Sequence, residues 1–421
     1  MRKLTERGTL ATLSSEVLSV LQRCAIDEPL FPNLKTLNLH PTNREFVPSI
    51  PLFLSPRTTT ISIDFETDIP RAMVASMITA FPILCPNLQD IDLNPLPRDP
   101  IITTAVSGMF LAINRNALQC VDVGSPLTEE ACGVISKLPD LRKLSTIVGR
   151  CVSLSRVVFP NLTNLITEYD YDSDWSQMFC GVAFGKLEAV TFNVESEEIG
   201  NFLEVFESVA TPALATLSTF RIYNAHPWRP NYRSLLPFTQ LKELTIEFSC
   251  EQGCSSTIDD DVSTDIARAM PKLEFLQLGG PPCQTSTGVT AKGLAAIAYH
   301  CPDLSALCIH FQVANLDPPA ANGITHDSEL TIPRPDCALT ELEVGELPVP
   351  EEFTLVVVLT LVRIFPRIRY IIYSNEEWEE VANEIYLSRG IIDRSSKKPS
   401  PHPLEVKLMT PPLGTTVESA I

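Results

Sequence analysis

Three consecutive aspartates, Asp259-Asp260-Asp261, and the thiols of Cys250, Cys254 and Cys283 are the residues of this 421-residue chain whose types suit a metal. A calcium loop needs oxygen ligands at alternating positions, which a contiguous triplet does not offer. A zinc site needs C-x-x-C pairs or a matching histidine, and these cysteines have neither. The triplet therefore reads as a solvated turn ahead of a helix near Thr264, and the cysteines as buried or idle thiols. The six histidines, at 40, 226, 300, 310, 326 and 402, are scattered. There is no G-x-S-x-G elbow, glycine-rich phosphate loop or H-E-x-x-H. The longer loops, 224–238 and 316–336, hold no nucleophile–base pair. No enzyme activity, metal or cofactor is expected.

Residues suited to recognition are more plentiful. The stretch NAHPWRPNYRSLLPF (224–238) brings Trp228, Arg229, Tyr232 and Arg233 within six residues. Such types anchor protein interfaces; alternatively, Trp228 and Tyr232 pack as local core. A second set recurs at fixed offsets: Asp90, Asp92 and Asn94; Asp122; Arg221 and Tyr223; Glu243, Thr245 and Glu247; Phe275 and Gln277; His310; and Glu343. It mixes acids, which set register and association rate, with a few aromatic and cationic anchors.

What must position that second set is a repeat. PNLKTLNL (32–39) returns as PNLQDIDL (86–93), PKLEFLQL (271–278) and PDLSALCI (302–309). With the first leucine as marker, repeats start at Leu34, Thr58, Leu88, Leu118, Leu141, Leu162, Leu187, Leu217, Leu241, Leu273, Leu304, Leu339 and Ile368, a mean period of about 28. Of the 39 residues at offsets 0, +3 and +5, 36 are apolar, against about 17 expected from composition; Thr58, Thr146 and Thr167 are the exceptions. Proline stands two residues before the marker in eight repeats, where it stops a helix and launches an extended segment. Between markers, 68–81, 196–209, 264–270 and 289–300 carry helical spacing, and Thr128 can cap a further helix.

L-x-x-L-x-L at this period is the leucine-rich-repeat signature, which makes the expected fold α/β. Some 13 irregular repeats stack as a horseshoe solenoid, with a parallel sheet on the concave face and helices or irregular segments outside. Offsets 0, +3 and +5 then point into the core, and +2, +4 and +6 face the concave side, which is how the recognition set was read. Spacing shrinks to 21 residues between Leu141 and Leu162, leaving little room for a helix. It stretches to 35 between Leu304 and Leu339, around a loop. The expected organisation is an N-terminal helical cap over 1–31, the repeat array over 32–374, a capping helix over 375–394 and a disordered tail over 395–421.

The net charge of −19 disfavours nucleic acid and anionic membranes as partners. No apolar run reaches the roughly 20 residues that span a bilayer; the richest, FTLVVVLTLV (353–362), has ten. No signal peptide opens the sequence, and twelve sparse cysteines fit a reducing compartment, cytoplasmic or nuclear.

The array resembles the leucine-rich-repeat region of F-box-like proteins of mushroom-forming (basidiomycete) fungi. The resemblance is most specific over RPNYRSLLPFTQLKELTIEFSCEQGCSSTIDDD (229–261) and GVTAKGLAAIAYHCPDLSALCIHFQVA (288–314). It implies a substrate adaptor of ubiquitin ligase machinery, with the repeats holding a protein target and an F-box holding a Skp-type adaptor. Residues 1–31 carry no Leu-Pro-x-Glu-type F-box motif, and LSSEVLSVLQ echoes one only superficially. The alternative is a repeat scaffold or paralogue without a ligase role.

Overall fold

Each octet that the repeat predicts supplies one strand. The computed structural model describes residues 3–5, 16–17, 20–21, 29–39, 44, 46–65, 68–113, 118–148, 157–169, 182–194, 201–210, 213–224, 226, 230–248, 258–279, 288–311, 337–344, 349–373 and 377–390. The strands are β1 (Lys3–Thr5), β2 (Thr36–Leu39), β3 (Thr60–Ile63), β4 (Asp90–Leu93), β5 (Cys120–Pro126), β6 (Lys143–Val148), β7 (Val158–Phe159), β8 (Asn164–Tyr169), β9 (Ala183–Phe184), β10 (Ala189–Val194), β11 (Thr219–Asn224), β12 (Glu243–Phe248), β13 (Phe275–Leu278), β14 (Ala306–Ile309), β15 (Glu341–Glu343) and β16 (Tyr370–Ile372). All except β7 and β9 lie in chain order in one 14-stranded sheet, and every pairing is parallel.

The strand register keeps the sequence phase. Residues at offset +3 stand side by side from Leu37, Ile61 and Ile91 through Phe220, Leu244 and Leu276 to Leu342 and Ile371. All of them are buried, while their strand neighbours on the other face are half-buried or exposed, except Thr245 and Cys308, which are buried. Parallel strands need a crossover between them, and that crossover lays helices on the buried face. These are α1 (Arg71–Leu84), α2 (Pro100–Ala112), α3 (Glu129–Ile135), α4 (Phe202–Ala210), α5 (Asp260–Ala269), α6 (Ala291–His300), α7 (Thr354–Ile364) and α8 (Glu377–Ser388). Helix α1 ends at Cys85-Pro86, α5 at Met270-Pro271, α6 at Cys301-Pro302 and α7 at Phe365-Pro366, where the residue before proline has left the helical region. Thr128 caps α3 by accepting from Ala131 N at 3.3 Å. The apolar run at 353–362 is α7, with Val357 and Leu361 in the core.

A second bonding pattern repeats with the strands. The carbonyl at offset +1 accepts two N–H groups from the next repeat: Lys35 O from Thr59 N and Thr60 N, at 2.8 and 3.0 Å, through to Thr340 O from Arg369 N and Tyr370 N, both at 2.9 Å. Hydroxyls of Thr163, Ser218, Ser305 and Thr340 donate to the same carbonyls. Thr58, polar at a core position, donates to Leu34 O at 3.3 Å and accepts from Ser55 N at 3.1 Å, so its burial leaves the hydroxyl satisfied.

The short repeats solve their layer differently. Where others carry a helix, β7 and β9 pair in parallel as a two-stranded ribbon, with Phe159 stacked on Phe184 at 5.9 Å.

Three expectations need correction. The N-terminal segment is helical at its described residues 16–17 and 20–21, but Lys3–Thr5 extends the sheet as β1, pairing Lys3 with Thr36. A strand there satisfies the edge of β2 that a helical cap would leave open. The aspartate triplet is not a turn ahead of a helix at Thr264, because Asp259 caps α5 by accepting from Val262 N, and Asp260 and Asp261 form its first turn. Asp260 then bonds across to the next repeat, accepting from Thr290 N at 2.8 Å, Thr290 Oγ1 at 2.7 Å and Gly293 N at 2.9 Å. Lastly, the capping helix stops at Ser388, before Gly390, whose φ of +67° only glycine adopts easily. The proposed tail over 395–421 lies outside the described residues.

Helix α8 folds back on the end of the array. Trp378 is 1% exposed, edge-on to Phe311 with ring centroids 5.8 Å apart. The Tyr386 hydroxyl accepts from Ile371 N at 3.3 Å and donates to Ile371 O at 3.2 Å, at the outer edge of β16.

Candidate functional site: the open face of the sheet

Because successive strand residues alternate faces, offsets +2 and +4 form two rows along the open face. One row runs Thr60, Asp90, Cys120, Lys143 and onward to Glu243, Phe275, Ala306, Glu341 and Tyr370. The other runs Ser62, Asp92, Asp122, Ser145 and onward to Arg221, Thr245, Gln277, Cys308, Glu343 and Ile372.

Asp90, Asp92, Asn94 and Asp122 come together on β4, β5 and the turn after β4. Thr60 donates to Asp90 at 3.1 Å and Ser62 to Asp92 at 2.9 Å. Asp122 accepts from Asn94 at 2.5 Å and from Lys143 at 2.7 Å. Burial pushes the Asp92 carboxyl up, with help from the Asp122 charge and against Ser62 and Lys143. The open space over Gly124 makes this possible, since a Cβ there would sit 2.3 Å from Asn94 Oδ1. Arg98, beyond the same turn, reaches Glu168 on β8.

The central group is built around an ion pair. Arg221 binds Glu243 through two bonds, Nε at 2.5 Å and Nη2 at 2.8 Å, so both residues brace adjacent strands. Tyr223 and Glu247 pair in register beyond them. Gln277 donates to Glu247 at 3.2 Å.

Two members of the predicted set are not presented to solvent. Thr245 is 2% exposed and His310 is 3% exposed. Thr245 is short and stands in its row between the longer Arg221 and Gln277. The loop set is divided. Trp228 and Arg229 lie outside the described residues; Tyr232 packs in the core at 4% exposure, within the turn Tyr232–Leu235, and Arg233 is exposed. The alternative of local core is therefore correct for Tyr232.

The same offsets also contain residues the sequence reading passed over: Lys143 as the partner of Asp122, Cys120 between Asp90 and Lys143, Glu341 beside Glu343, and the exposed apolar pair Tyr370 and Ile372. Counting every +2 and +4 position, rather than the charged ones most evident, finds all of them.

Burial raises the carboxyls of Glu247 and Glu343 above their ordinary value of 4.5; the neighbouring Glu343 charge lifts Glu247 further, and bonds from Gln277 and Cys308 oppose the shifts. A carboxyl raised in the folded state stabilises the fold below its unfolded pKa and loses that contribution as pH rises through the folded value. Both carboxylates therefore cost stability at pH 7. Glu247→Gln with Glu343→Gln should melt above the parent protein at pH 7, and the gap should close towards pH 4. Thermal melts across that range check it; a gap that widens on acidification would refute the assignment.

Among the described residues no cluster of His, Cys, Asp and Glu stands ready for a metal ion, and no helix is long and apolar enough to cross a membrane. Cys250, Cys254 and Cys283 lie outside those residues; Cys85, Cys132, Cys301, Cys308 and Cys337 are buried free thiols.

Stacked repeats, one parallel sheet and helices on its far side define a leucine-rich-repeat-like solenoid. No family model matches the chain, and no curated protein matches it. Among solved structures it is similar to a chain of the crystal structure of the Rad7 and Elc1 complex in yeast, at 12% identity and a TM-score of 0.40, over 80% of this chain and 85% of that one.

Proposed function

We propose that this chain is a non-enzymatic protein-binding module that holds a protein target on the open face of its sheet, as a substrate-recognition component of ubiquitin ligase machinery of the F-box-like, leucine-rich-repeat kind. The observation that carries the binding reading is the pair of in-register rows on that face. They place charged and aromatic side chains on consecutive rigid strands, which costs little ordering on association. The ligase part rests on the sequence resemblance over 229–261 and 288–314.

Titrating a purified Skp-type adaptor with the full chain tests the ligase part. Binding at micromolar concentration or tighter is expected of an adaptor component. Its absence favours the second reading, a repeat scaffold or paralogue without a ligase role. For the face itself, Tyr223→Ser is the informative variant. Arg221→Glu would set a carboxylate against Glu243 and disturb the sheet, whereas among the described residues the Tyr223 side chain makes no hydrogen bond to a neighbouring strand. Targets captured by the parent chain should be lost on Tyr223→Ser with the melting temperature unchanged.

A further inference from the structure

Helices α7 and α8 pack side by side in the outer layer, and both run from the ends of the strands back to their starts. Trp378, at the head of α8, meets Phe311 just beyond β14, and Tyr386 further along reaches Ile371 in β16. Their outward stripes differ in kind. On α7, Leu355 and Leu359 are 64% and 61% exposed, one turn apart on a single face. On α8, Glu380 and Glu384 are exposed at the same spacing, and among the described residues no cation pairs with either. A single exposed apolar side chain is ordinary, as with Ile83 on α1 and Ile101 on α2. Two leucines stacked on one ridge beside an acidic ridge call for a cover that is apolar on one part and basic on another.

A second copy is a poor cover, because it brings another pair of glutamates and another net charge of −19 to the same place. The sequence that follows α8 has the complement. RSSKK (394–398) holds Arg394, Lys397 and Lys398 without an acid, and PLEVKL (403–408) then sets Leu404, Val406 and Leu408 at alternate positions. We propose that residues 394–408 of this chain seat on the outer face of α7 and α8. Arg394, Lys397 and Lys398 lie against Glu380 and Glu384, and Leu404, Val406 and Leu408 against Leu355 and Leu359. The reach is sufficient. Glu384 and Glu380 stand roughly 9 and 15 Å back along the helix from Gly390, and an extended chain covers about 3.5 Å per residue. Neighbouring helix axes are about 10 Å apart, so 404–408 can cross from α8 to α7. Leaving Gly390, the chain meets the acidic ridge first and the leucines second, which is the order of basic and apolar residues in its sequence. Being tethered, the segment needs little intrinsic affinity to stay in place. It closes the convex side of the last repeats and leaves the open face to a target.

Photo-cross-linking of the full chain, with benzoylphenylalanine placed at Leu359 and irradiation at low micromolar concentration, tests it. The expected product keeps the mass of a single chain and carries its cross-link within residues 399–411. Its yield should fall about fivefold or more on Glu380→Lys with Glu384→Lys, and as much on Leu404→Asp with Leu408→Asp. The same probe at Ile83, which is 80% exposed on α1 towards the other end of the array, should give no such product. Glu380 and Glu384 are exposed, so the fold tolerates their reversal, and a melting curve on each variant confirms it. Three results would overturn the proposal. A product of twice the chain mass would give the ridge to a second copy. No cross-link within 391–421 would leave it uncovered by this chain. Equal yield from the probe at Ile83, or from the charge-reversed variant, would reduce the contact to unspecific collision.

Discussion

Phe206→Ala is expected to lower the unfolding free energy by about 3–5 kcal/mol. Phe206 is fully buried among four other rings: Phe220 lies 5.3 Å from it, Phe192 5.4 Å, Phe238 5.6 Å and Phe202 6.3 Å by ring centroid. Helix α4 carries it, β10 and β11 supply Phe192 and Phe220, and Phe238 comes from the segment leading into β12. Those contacts join two consecutive repeats, so truncation opens a cavity where neighbours hold neighbours. A solenoid is stabilised by such nearest-neighbour interfaces, and weakening one uncouples the two sides. Urea unfolding should therefore show both a lower midpoint and a broadened or split transition. Phe206→Leu, which keeps most of the volume, should cost less than half as much. A loss below about 1 kcal/mol for the alanine variant would mean that the cluster is not a coupling point.

Asp260→Ala should cost about 2–3 kcal/mol, an effect out of proportion for a residue that is only part-buried. Its carboxylate takes three bonds from the start of α6, two from backbone N–H groups that have no partner within that helix. A negative charge there also meets the positive end of the helix. Gly293 is part of the same device. A Cβ at 293 would lie 2.5 Å from Asp260 Oδ1, so Gly293→Ala should reproduce much of the loss. Asp261→Ala is the control, because Asp261 is exposed in the same turn and should change stability by less than about 0.5 kcal/mol. Equal effects at 260 and 261 would assign the loss to helix charge rather than to the bonds between repeats.

The strand pattern was legible because the same physics writes it thirteen times. Offsets 0, +3 and +5 must be apolar to reach the core, and every marker from Leu34 to Ile368 heads one strand of the sheet. Bonds between repeats were not legible. Asp260 and Thr290 are 30 residues apart and lie outside the strand phase, so nothing periodic links them. The reading of Asp259-Asp260-Asp261 as a solvated turn failed for that reason. Burial on the open face was half legible. Offset says that Thr245 and His310 start on that face, but their burial depends on packing that the repeat phase does not encode. The apolar run at 353–362 became a helix because four residues of each seven find the core, leaving Leu355 and Leu359 outside. Lys3–Thr5 joined the sheet although no marker precedes it, since any extended backbone can occupy an open edge.

The phenol of Tyr386 meets both edge groups of Ile371 and thereby does for β16 what a further repeat would have done. Growth of the array stops at one side chain rather than at a closed surface. Two molecules meeting at this end find both edge groups of Ile371 already taken, which disfavours stringing into filaments through β16.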